Sequence, residues 1–542
     1  MTTPRVPDPG HRPPVSVERR TVARGVAWGG VESLASALVG LVLTPLVVST
    51  CGVEGLGMWA ASWSLAHATN LLDLGVGSSY TRFTSQSIAL SDVARLNRTL
   101  SAGTGFHLAI GGVVACLALL LGPGALGIVA PAGPLAPHAR TVFGCTLGTV
   151  LLRTTLSAYR GVVAGAQRID ALSRIGAAAS LLEGAGAAVA LVSGWSLSGM
   201  AINSLLVGTG ASFVEARLAH RLVPGLRVVP FLARREEWRE LLSFGLRLQI
   251  VRASEILAAH APRLALAAGA GLGPAGLYDL GARVAGVLQI AALPLPVIQP
   301  LAGRLAARGE KARLRALVER ATRYVALLAI PVASLVLLDA GTILKAWTGQ
   351  NVPPVAASTA RLLVLALLCG FIASPLRLVL RGCGRAGPEA LAALAGSLLS
   401  VGLAIVLAPI RGAEGVAAAV LCGAVLAGAI LAIGGRGAMP GLARSAFRNI
   451  TGPLLASGAG LVAAAVMRSL VVEKDPGAAT RLEAFLRLVP EGLLLCGVTI
   501  LVAFLAGALL RHDVEDLAAA LVPGRLQTEA DAAEVPGSRG RP

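Results

Sequence analysis

The sequence predicts an all-α polytopic membrane protein with about 14 transmembrane helices. Its 542 residues are 55% hydrophobic and only 14% charged, and the mean hydropathy is +0.73. A soluble domain carries about 25% charged residues, and a disordered chain is much poorer in apolar residues. Apolar segments long enough to cross a bilayer as helices recur along almost the whole chain. These observations exclude the soluble and the disordered classes.

Fourteen apolar segments have the length of a membrane span. Each span needs about 20 residues, at a rise of about 1.5 Å per residue, to cross about 30 Å of hydrocarbon. The predicted spans are 25–49, 57–79, 102–122, 141–161, 171–193, 198–216, 243–268, 275–300, 324–343, 361–380, 389–409, 413–434, 449–471 and 488–510.

Basic residues alternate between the loops that join these spans. The N-terminal tail and the loops after the sixth and eighth spans hold clusters of arginines, whereas the loops after the first, fifth and seventh spans hold none. Because loops rich in Lys and Arg stay in the cytoplasm, we expect both termini to be cytoplasmic. The net charge of +18 follows from this arrangement, so no nucleic-acid partner is expected.

The longest inner connection divides the first twelve spans into two groups of six. We expect a cytoplasmic tail over 1–24, an N-terminal six-helix lobe over 25–222, a cytoplasmic linker or interfacial helix over 223–242, a C-terminal six-helix lobe over 243–436, two extra spans over 437–510 and a disordered cytoplasmic tail over 511–542.

A faint internal repeat supports this division. Gly52-Val-Glu-Gly-Leu-Gly-Met-Trp59 follows the first span, and Gly271-Leu-Gly-Pro-Ala-Gly-Leu-Tyr278 follows the seventh. Tight outer turns commonly use glycine and an interfacial aromatic residue, but here the pattern falls at the same place in both halves. Parallel repeats with a binding site at their interface are typical of secondary transporters.

Ten charged residues of the predicted spans are candidates for groups embedded in the membrane. An arginine at the centre of a bilayer costs about 2.5–3.5 kcal/mol on insertion scales, so these side chains should face partners or a water-filled cavity. They are Arg153, Arg247, Arg252, Arg263, Arg283, Glu32, Asp73, Glu183, Glu255 and Asp279.

Two interpretations of these charges stay open. Asp279 and Arg283 are four residues apart, and Arg252 and Glu255 are three apart, so ion pairs within one helix are easy to form. Alternatively, Arg252 and Arg263 form part of a cationic cavity wall, because a spacing of eleven residues puts them on one stripe of a helix. Such a wall suits an anionic substrate, above all a diphosphate that arginine binds through forked hydrogen bonds.

The second interpretation assigns a role to eight residues. We predict a diphosphate-binding cavity formed by Arg252, Arg263, Arg283 and Arg153. Acidic residues in membranes often carry protons or cations, and the candidates for coupling or gating are Glu32, Asp73, Glu255 and Asp279.

Motifs for catalysis and for metal binding are not found in the sequence. It has no phosphate-binding loop and no G-x-S-x-G motif, so no catalytic residue, metal or cofactor is expected. The seven cysteines are scattered, without a C-x-x-C pair, and are interpreted as small apolar residues of helices. His67, His107 and His260 have no partner at a ligand spacing and are interpreted as polar contacts between helices.

Three motifs near the N-terminus carry a family resemblance. Arg24-Gly-Val-Ala-Trp-Gly-Gly30 opens the first span, Gly55-Leu-Gly-Met-Trp59 opens the second, and Asp73-Leu-Gly-Val-Gly77 runs on to Arg82-Phe83. Together they resemble the polysaccharide and O-antigen flippases (Wzx type) of the multidrug/oligosaccharidyl-lipid/polysaccharide (MOP) exporter superfamily. The motifs cover about the first 90 residues, and fourteen spans in a 6+6+2 plan extend the likeness over nearly the whole chain.

The resemblance implies a transporter rather than an enzyme. It implies two six-helix lobes around a central cavity in the cytoplasmic membrane of a bacterium, which move a polyprenyl-diphosphate-linked oligosaccharide to the outer leaflet by alternating access. The implied partners are the lipid-linked saccharide, the lipid bilayer and other polysaccharide-assembly proteins.

Several alternatives stay open. Lipid-linked peptidoglycan precursors and teichoic-type polymers are other cargoes for the same machinery. A cation-coupled multidrug exporter is a second kind of transporter, although that branch usually has twelve spans and few membrane arginines. A membrane enzyme of polysaccharide assembly, such as a polymerase, is a different class, and the short outer loops count against it. The intramembrane charges argue against a scaffold without transport activity.

Overall fold

A computed structural model describes residues 15–129, 135–230, 235–292, 295, 298–350, 352–438, 442–471 and 481–505. Within these ranges the regular structure is entirely helical, which confirms the predicted all-α class. The helices are α1 (Val15–Ala68), α2 (Val76–Ala89), α3 (Val93–Val129), α4 (Ala136–Thr155), α5 (Ser157–Gly165), α6 (Ile169–Val192), α7 (Ser196–Leu222), α8 (Arg235–Gly269), α9 (Leu272–Ala285), α10 (Ile298–Ala307), α11 (Lys311–Thr348), α12 (Pro354–Gly382), α13 (Gly387–Ala438), α14 (Leu442–Val471) and α15 (Arg481–Leu505).

Some predictions from the sequence concern residues outside these ranges. The predicted disordered tail over 511–542 lies outside the described residues, as do residues 1–14 of the predicted N-terminal tail and residues 231–234 of the predicted linker.

Eight described helical stretches qualify as membrane spans by length and hydropathy. Two of them are long enough for two crossings each: Ala27–Asp73, of 47 residues, which begins in α1 and ends five residues beyond it, and Gly387–Gly435, of 49 residues, in α13. Each of these helices changes direction at a glycine, Gly52 in α1 and Gly412 in α13. The described part of α8 does not qualify, because Arg247, Arg252, Glu255 and Arg263 interrupt its apolar sequence.

The helices pack as two groups of six spans with an added pair. In the N-terminal half, α1 packs on α6, α6 and α4 pack on α7, and α2 packs on α5. In the C-terminal half, α13 packs on α8 and α12, and α12 packs on α9 and α11. Helices α14 and α15 pack on each other and on α11. This arrangement confirms the predicted two lobes with two appended helices.

Two predicted spans are broken at or just past their middle. The second span, 57–79, is interrupted by a 3-10 segment (Thr69–Asp73) before α2 begins at Val76. The break follows from Leu74 and Gly75, which both have left-handed backbone angles, with φ of 49° and 76°. The eighth span, 275–300, changes to a 3-10 segment (Gly286–Ala292) after α9.

Gly52 and Gly271 have the same backbone conformation in the two halves. Their φ angles are 72° and 93°, and their ψ angles are 178° and 179°. Such angles are accessible to glycine and costly for residues with a Cβ atom. The sequence repeat that begins at these two glycines therefore corresponds to a structural repeat.

The two halves meet at what we call the glycine seam, formed by Val53, Gly57, Leu272 and Gly276. A Cβ atom added to Gly57 would overlap the carbonyl oxygen of Leu272, and one added to Gly276 would overlap the carbonyl oxygen of Val53. The seam is thus a contact between backbones, which only glycine permits. Beside it, buried Leu56 belongs to the same apolar core as residues of α9.

Candidate functional site

A cavity of about 600 Å³ lies between the two halves. We call it the charged cavity, because its lining includes two arginines and two acids. The polar, charged and aromatic residues that line it include Trp63, His67, Asn70, Asp73, Arg153, Arg252 and Glu255. Four of the eight residues predicted for the site therefore share one cavity.

Arg153 and Arg252 reach the charged cavity from opposite halves. Arg153 lies in the last turn of α4, and Arg252 lies on α8. In the part of the chain that the structure describes, neither Arg252 nor Glu255 forms an ion pair, so the predicted pairing between them is not seen. Both side chains are exposed. The cavity thus holds arginine side chains whose forked donors can bind an anion.

Asp73 is held on the wall of the charged cavity by buried partners. Its carboxylate accepts a hydrogen bond from the Gly77 amide at 3.1 Å and pairs with His107 Nε2 at 2.6 Å. The other ring nitrogen of His107 lies 3.2 Å from the Tyr80 hydroxyl. The side chain of His107 is only 2% exposed, so this chain of polar groups leads from the cavity into the core of the N-terminal half.

Asp279 lies between two of the predicted arginines. Arg263 Nε donates to one carboxylate oxygen at 3.0 Å, and Arg283 Nε donates to the other at 2.7 Å. The Asp279 side chain is 6% exposed. Arg283 also donates from Nη1 to Thr44 Oγ1 at 3.0 Å, so this cluster in the C-terminal half is bonded to α1 of the N-terminal half.

The four predicted arginines therefore occupy two places rather than one. Arg153 and Arg252 line the charged cavity, whereas Arg263 and Arg283 bind Asp279. Arg252 and Arg263 share a stripe of α8, but eleven residues span about 16 Å along a helix axis. Helical periodicity predicts the direction in which a side chain points but not its position along the helix axis. Two residues on one stripe therefore need not belong to one site.

A second cavity, of about 300 Å³, lies beside the first and contains an acid outside the predicted set. Glu183 lines it and accepts a hydrogen bond from Ser204 at 2.6 Å. Arg283 also lines this cavity. The sequence indicates that Glu183 lies on a polar face of α6, because Ser180 precedes it by three residues and therefore lies on the same face.

The remaining predicted acid, Glu32, lines neither cavity. It lies half-buried on α1 against Gly176 of α6, where a Cβ atom would overlap its carboxylate. Glu32 thus belongs neither to the lining of the charged cavity nor to the cluster around Asp279.

Comparisons with known proteins agree with this architecture. A family model described as "Polysaccharide biosynthesis protein" matches residues 143–357. A comparison with curated protein sequences finds no match.

Among solved structures, the lipid II flippase MurJ in an inward closed conformation is similar, with a TM-score of 0.67 and 11% identity over 87% of this chain and 97% of that chain. An inward-facing multidrug resistance MATE family transporter of the MOP superfamily has a TM-score of 0.59 and 16% identity, over 77% of this chain and 96% of that one. A MOP superfamily transporter from Pyrococcus furiosus has a TM-score of 0.53 and 16% identity, over 78% and 96%. These solved structures show that the chain has their fold, as the resemblance implies.

Proposed function

We propose that this chain moves a polyprenyl-diphosphate-linked oligosaccharide across the cytoplasmic membrane of a bacterium by alternating access. The observation that carries the proposal is the position of Arg153 and Arg252 on opposite halves of one cavity. An anion bound by both arginines bridges the halves, so its binding favours one relative position of the halves over another. This is the coupling between cargo and conformation that alternating access needs.

The chemistry of the cargo fits the lining of the charged cavity. Arginine binds phosphate oxygens through two parallel N–H donors, and two arginines suit the two phosphates of a diphosphate. The cavity is polar enough for a glycan, while the prenyl chain stays in the lipid between the lobes. Arg263 and Arg283 are further binding positions, where a diphosphate competes with Asp279.

The lobes over 25–222 and 243–436 are the moving parts in this proposal. With both termini in the cytoplasm, the glycine seam closes the outer side. Asp73 and Glu255 face the same cavity as the arginines, and are the acids best placed for coupling or gating. Residues 437–510 add two spans that the transport cycle need not move.

A leaflet assay in the native host tests this function. In a strain that lacks the gene, we expect a prenyl-diphosphate-linked oligosaccharide to accumulate on the cytoplasmic leaflet, and its glycan identifies the cargo. The wild type and the control Arg320→Ala, an exposed residue of α11, should restore export. Arg153→Ala and Arg252→Ala should insert normally and fail to restore it. Export by both cavity variants at the wild-type rate contradicts the proposal.

A cation-coupled multidrug exporter is the second candidate. Glu183, Asp73 and Glu255 are acids that line the two cavities, and acids attract cationic drugs as well as coupling ions. This alternative predicts that the deletion strain becomes sensitive to lipophilic cations such as ethidium, with its surface polysaccharide intact. An enzyme of polysaccharide assembly has less support, because the similar solved structures described above are transporters.

A further inference from the structure

Aromatic residues are scarce in this chain, but three aromatic rings follow one another beside the cavities. Only 4% of the residues are aromatic, with six tryptophans, four tyrosines and ten phenylalanines. Yet Trp59, Trp63 and His67 follow one another at intervals of four residues on α1. Residues four apart lie on the same face of a helix, so the three rings form one row.

The row continues across the boundary between the halves. The ring centroids of Trp59 and Trp63 are 5.9 Å apart in an edge-to-face arrangement, and those of Trp63 and His67 are 5.2 Å apart. His67 then stacks on His260 of α8, with centroids 5.2 Å apart and an angle of 14° between the rings. We call these four residues the aromatic ladder.

The aromatic ladder runs from one cavity to the other. Trp63 and His67 line the charged cavity together with Arg153 and Arg252, and Trp59 and Trp63 line the second cavity. Trp63 therefore faces both cavities.

The exposure of the rings distinguishes them from ordinary core residues. Their neighbours on α1, Met58 and Ala61, are fully buried, whereas Trp59, Trp63 and His67 are only half-buried. Large apolar ring faces beside charged side chains suit a ligand that is itself amphipathic. A sugar ring is such a ligand, because its C–H faces are apolar and its edge carries hydroxyl groups. Aromatic rings gain from face contacts of this kind.

We propose that the aromatic ladder binds the sugar rings of the cargo, with the first sugar stacked on Trp63. The sugar attached to the diphosphate lies next to it in any lipid-linked saccharide, and Trp63 lies in the same cavity as the two arginines. The inference rests on the proposed function and deepens it, since it assigns the glycan and the diphosphate to different residues. Recognition is then divided between ring stacking and charge.

The test compares two probes on the purified full chain in lipid nanodiscs. One probe is a polyprenyl diphosphate, and the other is the same lipid carrying a single N-acetylglucosamine. We expect Trp63→Leu to weaken binding of the sugar-bearing probe about tenfold and to weaken binding of the bare diphosphate much less. Trp63→Phe, which keeps a ring, should retain most of the affinity for the sugar-bearing probe. Trp195→Leu, at a residue that is 66% exposed, is the matched control and should change neither affinity.

Each other outcome overturns the inference in a recognisable way. If Trp63→Leu weakens both probes equally, Trp63 only supports the packing of the cavity. If the wild type binds both probes with equal affinity, the ladder does not bind sugar, while the proposed function still stands. If the wild type binds neither probe, the proposed function fails and the inference fails with it.

Discussion

Gly57 and Gly276 occupy equivalent positions in the two halves, and each lies against a backbone carbonyl group of the other half. Each is the fifth residue after the glycine that turns the chain in its own half, Gly52 or Gly271. The contact is therefore reciprocal, as a pseudo-twofold relation between the halves requires. Because no side chain separates the backbones, a small change at either glycine should alter how closely the halves approach.

Replacement of Gly57 by alanine should open the glycine seam. The added methyl group overlaps the Leu272 carbonyl oxygen, and backbone atoms cannot move aside without separating the halves. We expect transport to fall at least about tenfold, measured by the leaflet assay in cells that contain normal amounts of the inserted protein. The control is Gly112→Ala in α3, where an added Cβ meets nothing within 4 Å. Equal transport by both variants would show that the seam tolerates separation.

A disulfide across the seam should lock the halves together. The ideal Cβ position of Gly273 lies 3.9 Å from Glu54 Cγ, so side chains at these two positions are in contact, as a disulfide requires. In a background without the seven native cysteines, Glu54→Cys with Gly273→Cys should form an intramolecular disulfide under oxidation. Transport should stop when the disulfide forms and resume after reduction. Each single-cysteine variant is the control, and continued transport by the fully oxidised protein would exclude movement at the seam.

The hydrogen bond between Arg283 and Thr44 should favour the conformation in which the seam is closed. Hydrogen bonds to charged groups contribute about 1.5–3 kcal/mol, and this one joins the two halves. Thr44→Val should therefore lower the rate of disulfide formation between positions 54 and 273. Thr209→Val is the matched control, because Thr209, like Thr44, donates to the carbonyl group four residues earlier, but it is exposed on α7. The same rate in both variants would mean that the bond has no part in closure.

Removal of the Asp279 charge should destabilise the protein. Asp279→Asn leaves Arg263 and Arg283 without their buried counter-ion, and loss of one partner from a buried pair costs about 3–5 kcal/mol. The midpoint of thermal unfolding in detergent should fall by several degrees. Glu310→Gln is the control, because its partner Arg313 is 73% exposed and such pairs contribute about 0–1 kcal/mol. Equal midpoints for both variants would show that water replaces the Asp279 carboxylate as the partner of the two arginines.

The general architecture could be predicted from the sequence because hydropathy is a local property. The predicted 6+6+2 arrangement and the repeat at Gly52 and Gly271 are both present in the structure. The break in the second span was not predictable from hydropathy, since Leu74 is apolar and yet has a left-handed backbone conformation. Gly75 beside it gave only a weak signal, because glycine is common throughout the spans.

The composition of the site was harder to predict, because it depends on contacts between distant parts of the chain. Asp279 and Arg283 pair within one helix, as their spacing allows, but Arg263 joins them from α8. Arg153 and Arg252 share a cavity although about 100 residues separate them in sequence. The four-residue spacing of Trp59, Trp63 and His67 is visible in the sequence, whereas the stacking on His260 depends on how the halves pack.

The balance of charge in the cavity has an electrical consequence. The formal charges of the two arginines and the two acids in its lining sum to zero. The lining together with an anionic occupant therefore keeps the net charge of the occupant. Under the proposed function, the charge of a diphosphate occupant would then cross the electric field of the membrane. Movement of one elementary charge across a potential of 100 mV changes the free energy by about 2.3 kcal/mol. In a cell that is negative inside, this change is favourable for a diphosphate that moves outward. The membrane voltage itself would then help to drive export.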